Sequence, residues 1–183
     1  IRLPAEKPLK PGLWTVEIPY EGVIHEQPYG LYRFIHEEQP YLVTQLEADD
    51  ARTVWPCLDE PSFKVSHQLT VTAPQGLSVI TNAPETAAST ADGWTTHHFA
   101  ATPPIATYAG ALAIGAYEPV PVEGLSVPSV VWMPAGQADA AATLVEEIPR
   151  VLKAAEKWFG TPYPFAKLDF VVVPAFAFGA MEN

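Results

Sequence analysis

The chain has one cysteine, Cys57, in 183 residues, so no disulfide can form within it. Positive charge is scarce. Ten Lys and Arg stand against 21 Asp and Glu, for a net charge of −11. That balance argues against nucleic acid, whose phosphates need Lys and Arg, and against an anionic membrane surface. No stretch is long and apolar enough to span a bilayer. There is no P-loop, no dinucleotide fingerprint and no G-x-S-x-G elbow. HExxH, which places two imidazoles one helical turn apart for zinc, is also absent. His25-Glu26 has Tyr29 where the second His is needed, and His36-Glu37 has Pro40 there. His97 and His98 are adjacent and point to opposite faces of any strand, and His67 stands alone. These histidines read as ordinary surface or strand residues, and no zinc site is expected within the chain.

What is abundant is proline, 20 residues of it. Proline breaks helices and is excluded from central strands. Here it falls between apolar runs, at Pro8, Pro19, Pro28, Pro40, Pro74, Pro84, Pro103, Pro104 and Pro119. Hydrophobic residues make up 48% and charged residues 17%, the composition of a globular protein. Strands are expected at 13–20, 30–35, 41–46, 68–73, 78–81, 94–99, 108–114 and 116–120. In the first of these Trp14, Val16 and Ile18 alternate with Thr15 and Glu17, as in a half-buried antiparallel strand. The small, polar stretch 85–92 reads as a mobile hairpin loop. The first 118 residues therefore read as a β-sandwich or curved open sheet.

The pattern changes after Pro128. One more strand is expected at 127–133. A helix of about 20 residues follows, with Asp139 as N-cap and Gly160 as its stop. Leu144, Val145, Ile148, Val151, Leu152, Ala155, Trp158 and Phe159 recur at helical spacing. Pro149 inside that pattern predicts a kink or a break into two pieces. A buried strand at 168–173 completes the start of an α/β unit.

Cys57 has Asp59 and Glu60 beside it. Acidic neighbours suppress the thiolate, so it reads as structural. Gln45 and Glu47 lie two apart at the end of a strand and leave the same face. An amide beside a carboxylate can bind an ammonium group with direction as well as charge, which suits the acidic balance. Taken alone, the pair also reads as solvent-facing sheet. Glu182, in the final Gly179-Ala180-Met181-Glu182-Asn183, supplies a second carboxylate on what reads as a short Gly-containing strand, a device for gripping a cation.

Several segments in order carry a resemblance. Gly30-Leu31-Tyr32-Arg33 comes first. Thr44-Gln45-Leu46-Glu47-Ala48-Asp49-Asp50-Ala51-Arg52 and Trp55-Pro56-Cys57-Leu58-Asp59-Glu60-Pro61 follow. Thr161-Pro162-Tyr163-Pro164-Phe165, Lys167-Leu168-Asp169 and the terminal Gly179-Ala180-Met181-Glu182-Asn183 complete the set. Together they resemble the aminopeptidase N family of zinc metallopeptidases, over almost the whole chain. The resemblance implies a mainly β fold: an antiparallel, sandwich-like or saddle-like amino-terminal domain over residues 1–118. An incomplete α/β segment of a thermolysin-like catalytic domain follows over 119–183. Further strands are expected upstream of Ile1.

The resemblance also implies site residues. Glu182 would bind the substrate α-amino group, and Glu47 would share that task. Gln45 would line the first specificity pocket, with Met181 shaping its wall. Gly179 and Ala180 would pair with the substrate main chain, and the Glu47–Ala48 peptide bond would be cis. The HExxH helix, third zinc ligand and transition-state tyrosine would all lie beyond Asn183. Zinc is therefore expected in a longer protein and not in this chain, which would be inactive alone. Expected partners are a peptide with a free amino terminus and the remainder of the catalytic domain. Trp55 stands where a smaller aromatic is usual and reads as core. A non-catalytic interaction module on the same fold is the alternative, and HExxH beyond Asn183 discriminates the two. The compartment stays open, with cytoplasm favoured over secretion or the periplasm.

Overall fold

The computed structural model describes residues 10–183; Pro8 lies outside them. Twelve strands and one α-helix follow in order: β1 (Gly30–His36), β2 (Gln39–Gln45), β3 (Lys64–Val65), β4 (Thr70–Pro74), β5 (Ser78–Thr81), β6 (Glu85–Ala91), β7 (Trp94–Phe99), β8 (Ile105–Ala106), β9 (Leu112–Gly115), β10 (Tyr117–Pro121), β11 (Ser129–Pro134), α1 (Ala142–Phe159) and β12 (Leu168–Val171). The fold is mainly β, as expected.

The central sheet has the order β1-β2-β9-β5, and its ladders are antiparallel. Side chains alternate across it. One face presents Val79 and Ile114 to the sheet β4-β7-β6, where Ala73 and Phe99, with Ala83 from the chain between β5 and β6, complete a buried cluster. The other face presents Tyr32, Tyr41, Val43, Ile80 and Ala113, against which Trp132, Val171 and Val173 pack. Those residues belong to a third sheet, β10-β11-β12, and to the chain just after it. The third sheet's far side buries Val131 and Met133 under Ile148 of α1. The order of layers is therefore sheet, sheet, sheet, helix.

Strand β11, helix α1 and strand β12 form a crossover unit, with β12 parallel to β11. Parallel neighbours need such a crossover, so the α/β unit read from the sequence is present. Tyr41 fastens the central sheet to it. The Tyr41 hydroxyl donates to the Ala116 carbonyl at 3.1 Å and accepts from the Ala135 amide at 3.3 Å. A Cβ at Gly115 would collide with the Tyr41 ring, so that position takes only glycine.

Several expectations are corrected. Residues 13–20 pair with nothing, and Trp14, Val16 and Ile18 are exposed. Alternation there has no ladder to serve among the described residues. The stretch read as a mobile loop is strand β6, antiparallel to β7, and all seven of its residues are exposed. Small polar residues suit an edge strand with both faces wet. Residues 107–109 form a 3-10 turn, which delays β9 to Leu112. Strand β10 pairs with β11 rather than with the strands before it.

Asp139 caps nothing. It lies inside a 3-10 turn, Ala138–Ala141, and the helix N-cap is Ala141 with no side-chain bond. The helix continues through Pro149 as one element rather than two. Gly160 ends it in the left-handed region, at φ 68°, as a C-terminal glycine does. Only part of the apolar stripe is covered: Ile148 is buried, while Val151, Trp158 and Phe159 are exposed.

Candidate functional site

The sequence placed Gln45 and Glu47 on one strand face. In the structure β2 ends at Gln45, and Glu47 lies beyond it, exposed, in the turn that follows. The two side chains therefore have different surroundings. Gln45 continues the alternation of Tyr41 and Val43 onto the face that meets the third sheet. It is 2% exposed, opposite Gly30 in the β1 ladder. Its Oε1 is buried without a hydrogen-bond partner. A buried amide oxygen left unpaired costs about 1–3 kcal/mol, so Gln45 is not the solvent-facing residue that its spacing alone suggested.

Glu47 is fixed through its backbone. The Asp50 amide donates to the Leu46 carbonyl at 3.0 Å and closes a turn over residues 47–49. Within that turn the Glu47–Ala48 peptide bond is cis, as the resemblance implied.

Beside the same face of the central sheet lies a cavity of about 680 Å³. One wall comes from the central sheet and its loops, including Thr44, Asn82 and Ala111. The opposite wall comes from β12 and the chain after it, including Phe176, Phe178 and residues 179–183. Gly179, Ala180, Met181 and Glu182 are thus brought together on one wall. Met181 is half-buried, while Gly179, Ala180 and Glu182 are exposed. The strand expected for this segment is not formed; residues 172–183 carry no ladder. Backbone groups of Gly179 and Ala180 are left without a strand partner, which is what pairing with an extended ligand needs. Gln45 and Glu47 are not among the residues lining this cavity.

Sequence reasoning missed Thr44, Asn82 and Phe176 as wall residues. Asn82 holds the wall's shape. Its side chain donates to the Ala109 carbonyl at 2.9 Å and accepts from the Ala111 amide at 2.7 Å. Asn82-Ala83-Pro84 is ordinary turn chemistry, and nothing local to it points to this wall. Lys167 and Asp169, also on the wall, neutralise each other at 2.6 Å. Glu182 has no basic partner within salt-bridge distance among the described residues. A carboxylate facing a cavity with no cation of its own is free to pair with an external one.

Cys57 is half-buried, and burial first, then the Asp59 charge, pushes its thiol pKa up. That is the setting of an unreactive cysteine.

Known proteins settle the family. The Peptidase M1 N-terminal domain matches residues 1–109, and the Peptidase family M1 domain matches residues 144–183. The chain belongs to peptidase family M1, the aminopeptidase N family of zinc metallopeptidases. It is 35% identical to Aminopeptidase M1-C of Oryza sativa subsp. japonica over 97% of its own length and 21% of that protein's. It is 34% identical to Aminopeptidase N of Acetobacter pasteurianus, over 94% of the chain and 50% of the relative. With the Leucyl aminopeptidase of Saccharolobus solfataricus the identity is 32%, over 92% and 22%. The chain therefore spans between a fifth and a half of the length of these relatives. Among the described residues no group of three His, Cys, Asp or Glu side chains is placed to hold a metal ion. The family's zinc does not fit the described residues.

Proposed function

We propose that this chain carries the substrate-recognition half of a metallo-aminopeptidase that removes amino-terminal residues from peptides. Glu182 and Glu47 hold the substrate's α-ammonium, and Gln45, which follows Thr44 of the cavity wall without lining the cavity itself, borders the pocket for its first side chain. Gly179 and Ala180 pair with its main chain, and Met181 forms the pocket wall. The β-domain, residues 1–118, and the catalytic segment, 119–183, then supply the two sides of one site. The chemistry that cleaves the bond belongs to the remainder of the catalytic domain, and this chain alone is inactive.

The observation that carries the reading is the placement of Glu182 with Gly179, Ala180 and Met181 on the wall of the large cavity. The unpaired buried oxygen of Gln45 on the facing side of the sheet supports it. Carboxylates that must be neutralised measure one residue from the end of a peptide. An internal segment brings no ammonium and leaves them unpaired, which costs binding. The test is kinetic. The full-length protein is assayed on a peptide and on its amino-acetylated twin. The free peptide turns over and the twin does not. Equal rates on both end the reading.

A further inference from the structure

Glu47 is exposed and lies outside the ladder, on a turn. An exposed side chain on a loose turn positions a ligand poorly, and small displacements are costly in a recognition site. Something must therefore fix the turn.

The backbone on each side of Glu47 is anchored. Leu46 before it and Ala51 after it are both 0% exposed. Ala51 opens the 3-10 turn Ala51–Thr53. On one side this turn packs on β1, where Thr53 Oγ1 occupies the space a Cβ of Gly30 would need, and Gly30 has φ 60°. On the other side it is held by Asp59. The Arg52 amide donates to Asp59 Oδ2 at 2.9 Å, and Arg52 Nε donates to the same oxygen at 3.1 Å. Arg52 Nη2 donates to the Asp59 carbonyl at 3.1 Å and lies 3.5 Å from Asp49, inside the turn that carries Glu47. The Asp59 side chain is 3% exposed, and its second oxygen accepts from the Thr107 hydroxyl at 2.8 Å. Thr107 begins the 3-10 turn that ends at Ala109, a residue of the cavity wall. One buried carboxylate thus joins the Glu47 turn to the wall of the cavity.

We propose that Asp59, through its grip on Arg52, is a positioning residue for Glu47 in substrate recognition. This rests on the amine-binding reading of Glu47 given above. Asp59 touches no substrate. It fixes where the Glu47 carboxylate stands, so its loss shows as weakened capture of the free amine rather than as slower chemistry. A residue that serves the fold alone lowers stability without that selectivity.

The experiment is a double-mutant cycle in the full-length protein, with the free peptide and its amino-acetylated twin. Asp59→Asn raises KM for the free peptide about fivefold, with kcat within about twofold of wild type. In a Glu47→Gln background the same change adds less than about twofold, because the group being positioned is already gone. An equal rise in both backgrounds overturns the proposal. So does an unchanged KM for Asp59→Asn where Glu47→Gln itself raises KM. If Glu47→Gln leaves KM unchanged, the amine-binding reading of Glu47 fails first. Should Asp59→Asn fail to fold, Arg52→Lys replaces it. Lysine keeps the charge and loses the multipoint grip, and the same KM split is expected.

Discussion

The two faces of the central sheet are covered to different degrees. On one, Val79 and Ile114 meet Ala73, Ala83 and Phe99 in a closed sandwich with β4-β7-β6. On the other, the third sheet meets the tyrosine cluster, and the chain beyond it stands off and leaves a cavity of about 680 Å³. The closed face is built mainly from aliphatic residues and Phe99, with His97 buried beside that ring. Beside the open face lie Gln45 with an unpaired oxygen and Glu182 with no cation of its own. Packing to full density gives stability and leaves no space. A recognition site needs the space, and polar groups not already satisfied. Unpaired polar atoms occur on both sides, at His67 and His97 as well as Gln45, but among the described residues the large space lies on one side of the sheet only.

If that division holds, damage to the closed face costs stability and spares recognition. Phe99 is 3% exposed within the sandwich. Phe99→Ala is expected to lower the unfolding free energy by about 3–5 kcal/mol. Chemical unfolding measures it. The full-length variant, assayed below its unfolding midpoint, keeps its preference for free over acetylated peptide. Lost preference at unchanged stability would break the comparison.

The open face should show the reverse. Glu182 is exposed, so Glu182→Gln shifts stability by less than about 0.5 kcal/mol. In the full-length protein it lowers kcat/KM for a free peptide by roughly 100-fold. The acetylated peptide is little affected, so the gap between the two narrows. Wild-type rates with continued rejection of the acetylated peptide would remove Glu182 from the amine site.

Glu47→Gln is expected to act the same way but less severely, by roughly tenfold in kcat/KM, because one carboxylate remains. An effect larger than that of Glu182→Gln would reverse the order of the two. Their relative weights sharpen the comparison, since Glu47 sits on a clamped turn and Glu182 on a segment without a ladder.

The sequence was most readable where local chemistry and tertiary structure agree. Gly160 at the helix end and the strand-helix-strand order after Pro128 needed only local pattern. The same local rules failed at residues 13–20, where alternation has no partner strand, and at 85–91, where small residues sit in an edge strand. Pairing is a tertiary fact that spacing does not encode. The site shows the same limit. The family motifs pointed to Gln45 and Glu182, and spacing put Gln45 and Glu47 on one face. Spacing could not say that β2 stops between them. Asp59 was visible only as an acidic neighbour of Cys57. Its bonds to Arg52 and Thr107 span 7 and 48 residues, and the second distance is beyond any local pattern.

The smallest expected effect concerns protons beside the closed face. His67 is half-buried, and its Nε2 is buried without a partner. It borders a narrow space with Leu69 and Phe99, and its ring centre lies 6.2 Å from that of Trp55. Burial holds its pKa below the ordinary histidine value, because the charged ring has lost water. The unfolded chain then binds a proton at about pH 6.5, while the folded chain resists until lower pH. In that window the unfolded state carries more protons, so stability rises with pH. The contribution is complete above the unfolded value and is lost as pH falls through it toward the folded value. His67→Gln removes the titration. Denaturant midpoints of wild type and variant, compared at pH 8 and pH 5.5, isolate the term, since every other group is common to both. The wild type should lose more on acidification than the variant does. Equal losses would mean that His67 is hydrated when folded, and that this flank is less tightly closed than its sandwich neighbours.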